Sequence, residues 1–310
     1  MEKKKQPKYP IQLGLNRLIF GASALAYGGL LYLASHASQL VVHVLAVVLF
    51  SFVANTLFSL LHEAVHHVYA PSSNENYLSG LLLGGFYPTS YSLQKSFHLS
   101  HHQFNRSDRE QFDYLHKGDN KFLKYAQWYS ILTGIYWLVA VAGALLFLLF
   151  PFLFSPNLLG KGLSKQTGAD SMFYRLGKGN LLRIRLELVW AFCFQLSLWY
   201  FLDVSFWPTL ACYAAFAWNW SSLQYADHAY STLDAKEGAW NLKVPFFYRW
   251  FFLNYHAHKV HHQQPDLPWP YLYQQIKPEE FRPHFFAMYL RMWQGPIPYP
   301  ETSEDHEKGN

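Results

Sequence analysis

The sequence predicts an all-α integral membrane protein, and three observations carry that expectation. Of 310 residues, 51% are hydrophobic and 19% aromatic, whereas only 15% are charged, well below the roughly 25% of soluble domains. Apolar runs recur at about the 20-residue length that a helix needs to cross a bilayer. Histidines recur at helical spacing, three and four residues apart, in three separate stretches between and after those runs.

The first apolar run covers Asn16 to Ala34 and the second Leu40 to Leu61, interrupted by His43 and Asn55. Ser79 to Pro88 is too short to span, so it is expected to dip into the membrane or lie on it. The third long run covers Trp128 to Phe154, the fourth Leu186 to Phe201 and the fifth Trp207 to Leu223. Only a short turn around Asp203 and Pro208 separates the last two, which predicts a helical hairpin. From Val244 to Tyr255 the chain is aromatic and reads as interfacial.

Charge sets the orientation. Lys3, Lys4 and Lys5 favour a cytoplasmic N-terminus. Two crossings then return the chain to the cytoplasm at His62. The hairpin is flanked by Arg175, Lys178, Arg183 and Arg185 before it and by Lys236, Lys243 and Arg249 after it, so both of its ends are expected on that side. Trp128 to Phe154 must therefore begin and end there too. It is long for one crossing and short for two, which predicts a bent, re-entrant or thin hairpin element.

The net charge of +5 comes without a long Lys/Arg tract, which argues against a nucleic-acid partner and suits a membrane protein with basic loops. The opening MEKKKQPKYP is polar and no small-residue cleavage site follows, so it reads as a retained cytoplasmic tail. Cys193 and Cys212 lie inside apolar stretches and are expected as buried thiols without a disulfide or metal role. No internal repeat stands out.

The chemistry-bearing residues are the histidines. His62-Glu-Ala-Val-His66-His67 ends the second run, with His62 and His66 on one helix face. His98-Leu-Ser-His101-His102 and His258-Lys-Val-His261-His262 each place three imidazoles on one face. His228, just past the fifth run and one turn after Gln224, makes a ninth candidate. Nine imidazoles suffice for two metal ions with four or five ligands each. Imidazole suits iron as well as zinc, and iron activates dioxygen. Glu63, Asp108, Asp113, Asp227 and Asp234 are candidates to hydrogen-bond ligating rings and fix their tautomers; Gln224 is a candidate to hold a metal-bound water. Arg106, Arg109, Lys117 and Lys259 are candidates for a basic docking surface.

These motifs resemble those of the membrane fatty acid desaturase and hydroxylase superfamily. HEAVHH, HLSHH and HKVHH look like its three histidine boxes, in order from the second run to about Trp269. Gln224-x-x-x-His228 resembles the position where stearoyl-type members carry Asn-x-x-x-His, which contributes a further ligand; Gln for Asn is a departure. HHQQPDLPW and DHAYSTLDAKEGAWNL are similar to bacterial-type members. Asn254-Tyr255-His256 also resembles a family lead-in, which leaves His256 as an alternative to His258. The resemblance implies one domain over residues 1–310, with disordered tails at about 1–10 and 300–310. It implies a mushroom-like fold, in which a cytoplasmic cap and the helix ends hold two irons between His62, His66, His98, His101, His102, His228, His258, His261 and His262. It also implies a hydrophobic lipid substrate and electrons from a ferredoxin, rubredoxin or cytochrome b5 type carrier. No haem-binding pair or cysteine cluster is fused to the chain, so that carrier or reductase is expected to be external.

Within that superfamily the expected reaction is O2-dependent introduction of a double bond into a long-chain acyl lipid. Lipid or carotenoid hydroxylation or ketolation, and alkene-forming decarboxylation of a fatty acid, are the alternatives. An intramembrane zinc hydrolase using His62-Glu63-x-x-His66 accounts for one box and leaves two without a role. A metal transporter needs polar residues through the midplane, whereas these clusters gather at one face.

Overall fold

The computed structural model describes residues 9–154, 158, 175–176 and 179–299. Most of the two tails expected to be disordered, residues 1–8 and 300–310, lies outside the described residues. The first two apolar runs form α1 (Leu13–His36, 24 residues) and α2 (Leu40–Val65, 26 residues). A rise of 1.5 Å per residue makes each about 36–39 Å long, enough to cross a hydrocarbon core of about 30 Å. Both are long and apolar enough to be membrane spans. Leu18 and Leu25 of α1 are 68% and 80% exposed, while Tyr27 and Leu31 are fully buried. The exposed stripe faces lipid and the buried stripe faces α2. Helix α2 changes partners along its length. Its first turns expose Leu40, Val41, Val44 and Leu45, whereas Val53 to Val65 is buried throughout. The buried half ends in the first histidine box.

α3 (Ser73–Phe86) is capped by Ser72, whose side chain accepts from the Glu75 N–H. The cap starts the helix six residues before the apolar run, yet its 14 residues remain too few to span. α4 (Tyr91–Phe104) is capped by Ser90 and carries the second box. The third long run is broken. α5 (Lys121–Thr133) and α6 (Ile135–Leu149) meet at 103°, as the bent element expected there requires. Gly134 makes the corner with φ 83°. A Cβ at that position would lie 2.6 Å from the Trp218 backbone nitrogen, so both its handedness and its closeness require glycine.

α7 (Leu181–Phe201) and α8 (Phe206–Ala226) form the expected hairpin. Their 21 residues each are long enough to cross. Composition does not make them as apolar as the sequence suggests: among the described residues only α1, α2 and the bent α5–α6 pair qualify as candidate spans. Arg183, Arg185 and Glu187 open α7, and Asn219, Ser221, Ser222 and Gln224 close α8. The outward side chains of the hairpin are still apolar, with Leu196, Tyr200, Phe201 and Trp207 68–81% exposed. Cys193 is exposed on this outer face, against the expectation of a buried thiol, while Cys212 is buried. An apolar run in a helix at the rim has one face on the bundle and one on lipid, and Cys193 falls on the latter.

The Ser205 N–H donates to Ser35 Oγ at 3.2 Å, so the α7–α8 turn and the α1–α2 turn share one end of the bundle. The core between α1, α2 and α8 holds Tyr27, Phe50, Leu57, Leu61, Phe216 and Trp220. A second cluster, with Trp128, Leu223, Phe252, Tyr255 and Met292, packs under the C-terminal segments. These include α9 (Phe246–Phe251), α10 (His258–Gln263), α11 (Trp269–Leu272) and α12 (Phe285–Met292). Two two-residue strands, β1 (Tyr114–Leu115) and β2 (Ile297–Pro298), pair in parallel and tie the loop after α4 to the C-terminal segment.

Candidate metal centre

Four short devices aim the histidines. The buried end of α2 supplies His62, and its cap supplies His66. Helix α4 presents His98, His101 and His102. The end of α8 presents His228, which its flanking loop fixes: Nδ1 donates to the Gly238 carbonyl at 2.9 Å. A Cβ on Gly238 would lie 2.3 Å from Arg106 Cγ, so only glycine lets this loop come close enough. The third box begins α10, registered by the Leu242 N–H to His256 carbonyl bond at 2.9 Å and the Val260 N–H to Asn241 Oδ1 bond at 3.2 Å.

The nine rings meet in two groups. His62, His66, His98 and His261 form one, and His101, His228, His258 and His262 the other; within each group the ligand nitrogens lie within 4.8 Å of one another. His102 sits between them. Its Nε2 is 2.9 Å from the Nε2 atoms of both His98 and His261, and its ring stacks 4.4 Å from His262. All nine candidates are thus brought together. All are buried except His101 and His102, which are half-buried.

The arrangement fits a bound cation. His66 and His98 face each other through Nε2 at 2.7 Å, and His228 and His258 do so at 3.0 Å. Because Nδ1 of His228 donates to a carbonyl, its Nε2 presents a lone pair inward. Nε2 of His62 and of His262 is buried without a hydrogen-bond partner, and each such atom costs about 1–3 kcal/mol. Metal–nitrogen bonds of about 2.0–2.1 Å place neighbouring ligand nitrogens about 3 Å apart. The donor set is all imidazole. Burial lowers His66 to about 3 and holds His98, His102, His228, His258, His261 and His262 well below the usual imidazole value; neighbouring imidazoles add to the effect for each, with Lys95 joining them at His66. Neutral imidazole is the ligating form.

The groups around the cage partly differ from the sequence expectations. Asp227 is fully buried, with Oδ2 3.5 Å from His258 Nδ1 and Oδ1 3.8 Å from His228 Nε2. Burial pushes its carboxyl well above the usual carboxylate range; a cation in the adjoining quartet acts in the opposite direction. Glu63 instead accepts from the Trp269 backbone N–H at 3.0 Å. Asp113 takes both guanidinium nitrogens of Arg106 at 2.8 and 2.9 Å, with the Tyr225 hydroxyl at 2.9 Å. That pair is fully buried, which removes Arg106 from any docking surface. Lys259 pairs with Glu237 at 3.0 Å. Asp108 is exposed, and Asp234 caps the turn to Lys236 and Glu237.

Gln224 reaches the site through Tyr255, whose hydroxyl donates to Oε1 at 3.4 Å. The Tyr255 ring lies 4.9 Å from His62 and 4.8 Å from His258. His256 stands apart, against Tyr273, so His258 is the ring in the cage. His67 contacts Lys95 outside it. The acid that sequence reasoning missed is Glu110, whose Oε2 accepts from His101 Nδ1 at 2.7 Å. It lies in a loop with Asp108 and Asp113, and nothing in the sequence singles it out.

A bundle of apolar helices capped by a buried all-histidine cage defines a membrane metalloprotein of the histidine-box type. The family comparison agrees: the fatty acid desaturase profile matches residues 7–296, and the chain belongs to that family. A comparison with curated proteins finds no match. Membership makes it an oxidoreductase-type enzyme of lipid metabolism, associated with membranes, whose histidine groups suit iron.

Proposed function

We propose that the chain is an O2-dependent di-iron desaturase that introduces a double bond into a long-chain acyl lipid. The observation that carries the proposal is the pairing of two buried histidine quartets across His102 in a chain of the desaturase family. One iron is assigned to each quartet, with His102 available to either. Two ferrous ions there supply the one-electron chemistry by which dioxygen oxidises an unactivated C–H bond. The overall reaction converts a CH2–CH2 pair, O2, two electrons and two protons into CH=CH and two waters. The electrons come from an external ferredoxin, rubredoxin or cytochrome b5 type carrier.

The chain's own residues hold and exclude. Glu110 and the Gly238 carbonyl hold the Nδ1 protons of His101 and His228, so that Nε2 of each points inward. Asp227 faces His258 and supplies counter-charge. Phe58 lies one turn before His62 and packs on Tyr87 and Trp220 at 4.8 and 5.4 Å. These three are buried together beside the first box, where they would keep water from the cage and offer apolar surface to methylenes. Tyr255, held by Gln224, closes the side of the cage nearest α8. Lys3 to Lys5 and the basic hairpin flanks support a cytoplasmic cage.

The test is product analysis of purified, iron-loaded protein with a reducing carrier, a long-chain acyl lipid and isotopically labelled dioxygen. A new double bond with no label in the lipid is expected. Exclusive hydroxylated or ketolated product, or a terminal alkene shortened by one carbon, overturns the reaction assigned.

A further inference from the structure

Helix α4 has a second working face. His98, His101 and His102 point to the metal centre, whereas Ser92, Lys95, Ser96 and Leu99, at the i, i+3, i+4, i+7 spacing of another face, line a cleft of about 640 Å³. The cleft lies between α3, α4 and the start of α7. Three cationic side chains line it, Lys95, Arg175 and Arg183, and no carboxylate does so among the described residues. Glu187, adjacent to the cleft, is already engaged by two of its walls. It accepts from the Tyr77 hydroxyl at 3.1 Å, from the Ser92 N–H at 2.8 Å and from Ser92 Oγ–H at 2.7 Å.

The cleft adjoins a largely apolar groove. Tyr77, Asn180 and Arg183 also line a second cavity of about 410 Å³, whose further walls are Leu81, Leu182, Leu186, Trp190 and Glu187, the last already held by Tyr77 and Ser92. Leu182 and Leu186 are 65% and 61% exposed, on the rim of the bundle where apolar side chains face lipid. The two cavities adjoin at these shared walls, one lined by three cations and the other largely apolar. A free anion has no use for the groove, and a neutral lipid leaves the cations, whose present partners His67, Gln103 and Tyr77 are uncharged or aromatic, without counter-charge. An amphiphile with a phosphate head and an acyl tail satisfies both.

We propose that the two cavities together bind a membrane phospholipid. Its phosphate sits among Lys95, Arg175 and Arg183, in charge-assisted hydrogen bonds, and one acyl chain lies along Leu182, Leu186 and Trp190. The site is separate from the histidine cage but shares its wall: His67 lines the cleft while its neighbour His66 faces the cage.

Native mass spectrometry of the metal-loaded full chain in detergent tests this, with three probes. Dioleoyl phosphatidylglycerol is expected to bind, and dioleoylglycerol, with the same chains and no phosphate, to bind at least about tenfold more weakly. Glycerol 3-phosphate is expected not to displace the phospholipid. Lys95→Gln and Arg183→Gln each weaken phospholipid binding about tenfold, Leu186→Gln weakens it through the groove, and Lys117→Gln leaves it unchanged. Equal binding of dioleoylglycerol overturns the phosphate site. Displacement by glycerol 3-phosphate at matched concentration makes it a free-anion site and overturns the lipid. Unchanged binding in all three cleft variants places the lipid elsewhere. The readout is binding, so it stands or falls independently of which reaction the histidine cage performs.

Discussion

Two of the inward-pointing histidines, His101 and His228, are set by what their other nitrogen does. Glu110 accepts from His101 Nδ1, and the Gly238 carbonyl accepts from His228 Nδ1; both bonds fix the tautomer that leaves Nε2 for a metal. Glu110→Gln keeps the shape and weakens the acceptor, so metal affinity should fall about 10–100-fold in competition with a chelator. Affinity equal to wild type would remove Glu110 from the account. At this scale the sequence was informative in a specific way. Spacings of three and four residues named the box histidines, because a helix turns repetition into convergence. The same periodicity says nothing about loop residues, so Glu110 was missed and Asp113 was credited with a role that belongs to its pair with Arg106. That assignment depends on how the loop folds back onto Tyr225, a contact across 112 positions of sequence.

Among the elements, the bent α5–α6 corner shows what an apolar run can and cannot reveal. Its length ruled out one straight helix, and Gly134 lay inside it, but the 103° angle comes from packing against α8. Replacing Gly134 with Ala sets a left-handed backbone conformation against a Cβ that collides with Trp218 and Ala217. The expected loss is about 1–3 kcal/mol, seen as a lower unfolding midpoint in detergent; an unchanged midpoint would mean that the corner relaxes freely. The α7–α8 hairpin was legible as a hairpin from its turn. Its apolarity was overestimated because aromatic residues and one lipid-facing stripe lend a run hydrophobicity that its Arg, Glu, Gln and Asn positions offset.

For the whole molecule, the histidine cage opposes acid. The rings whose protonation is lowered, from His66 to His262, stay neutral when folded and take up protons once unfolded. The unfolded state therefore binds more protons at any pH between the usual imidazole value of 6.5 and the folded value, about 3 for His66, and folding stability falls as pH falls through that window. Metal-free protein should lose stability steeply below about pH 6.5, and bound metal should shift the loss to lower pH; a flat pH profile of the metal-free protein would contradict the buried neutral cage. The proposed cytoplasmic cage, together with the two turns sharing the opposite end of the bundle, makes a prediction about sidedness. Cysteines placed near Lys4, Arg109 and Lys259 should label from one side and those at Ser38 and Asp203 from the other, and labelling of any one from the wrong side would break the topology. The broad class was legible because composition, run length and histidine spacing all act through one variable, the helix. The central claim is that two quartets hold two irons, and its most direct measurement is metal content after anaerobic loading with ferrous iron. The account predicts two irons per chain, with iron lost from one quartet in His261→Ala and from the other in His101→Ala. A single zinc per chain, or two irons fully retained in both variants, would contradict it.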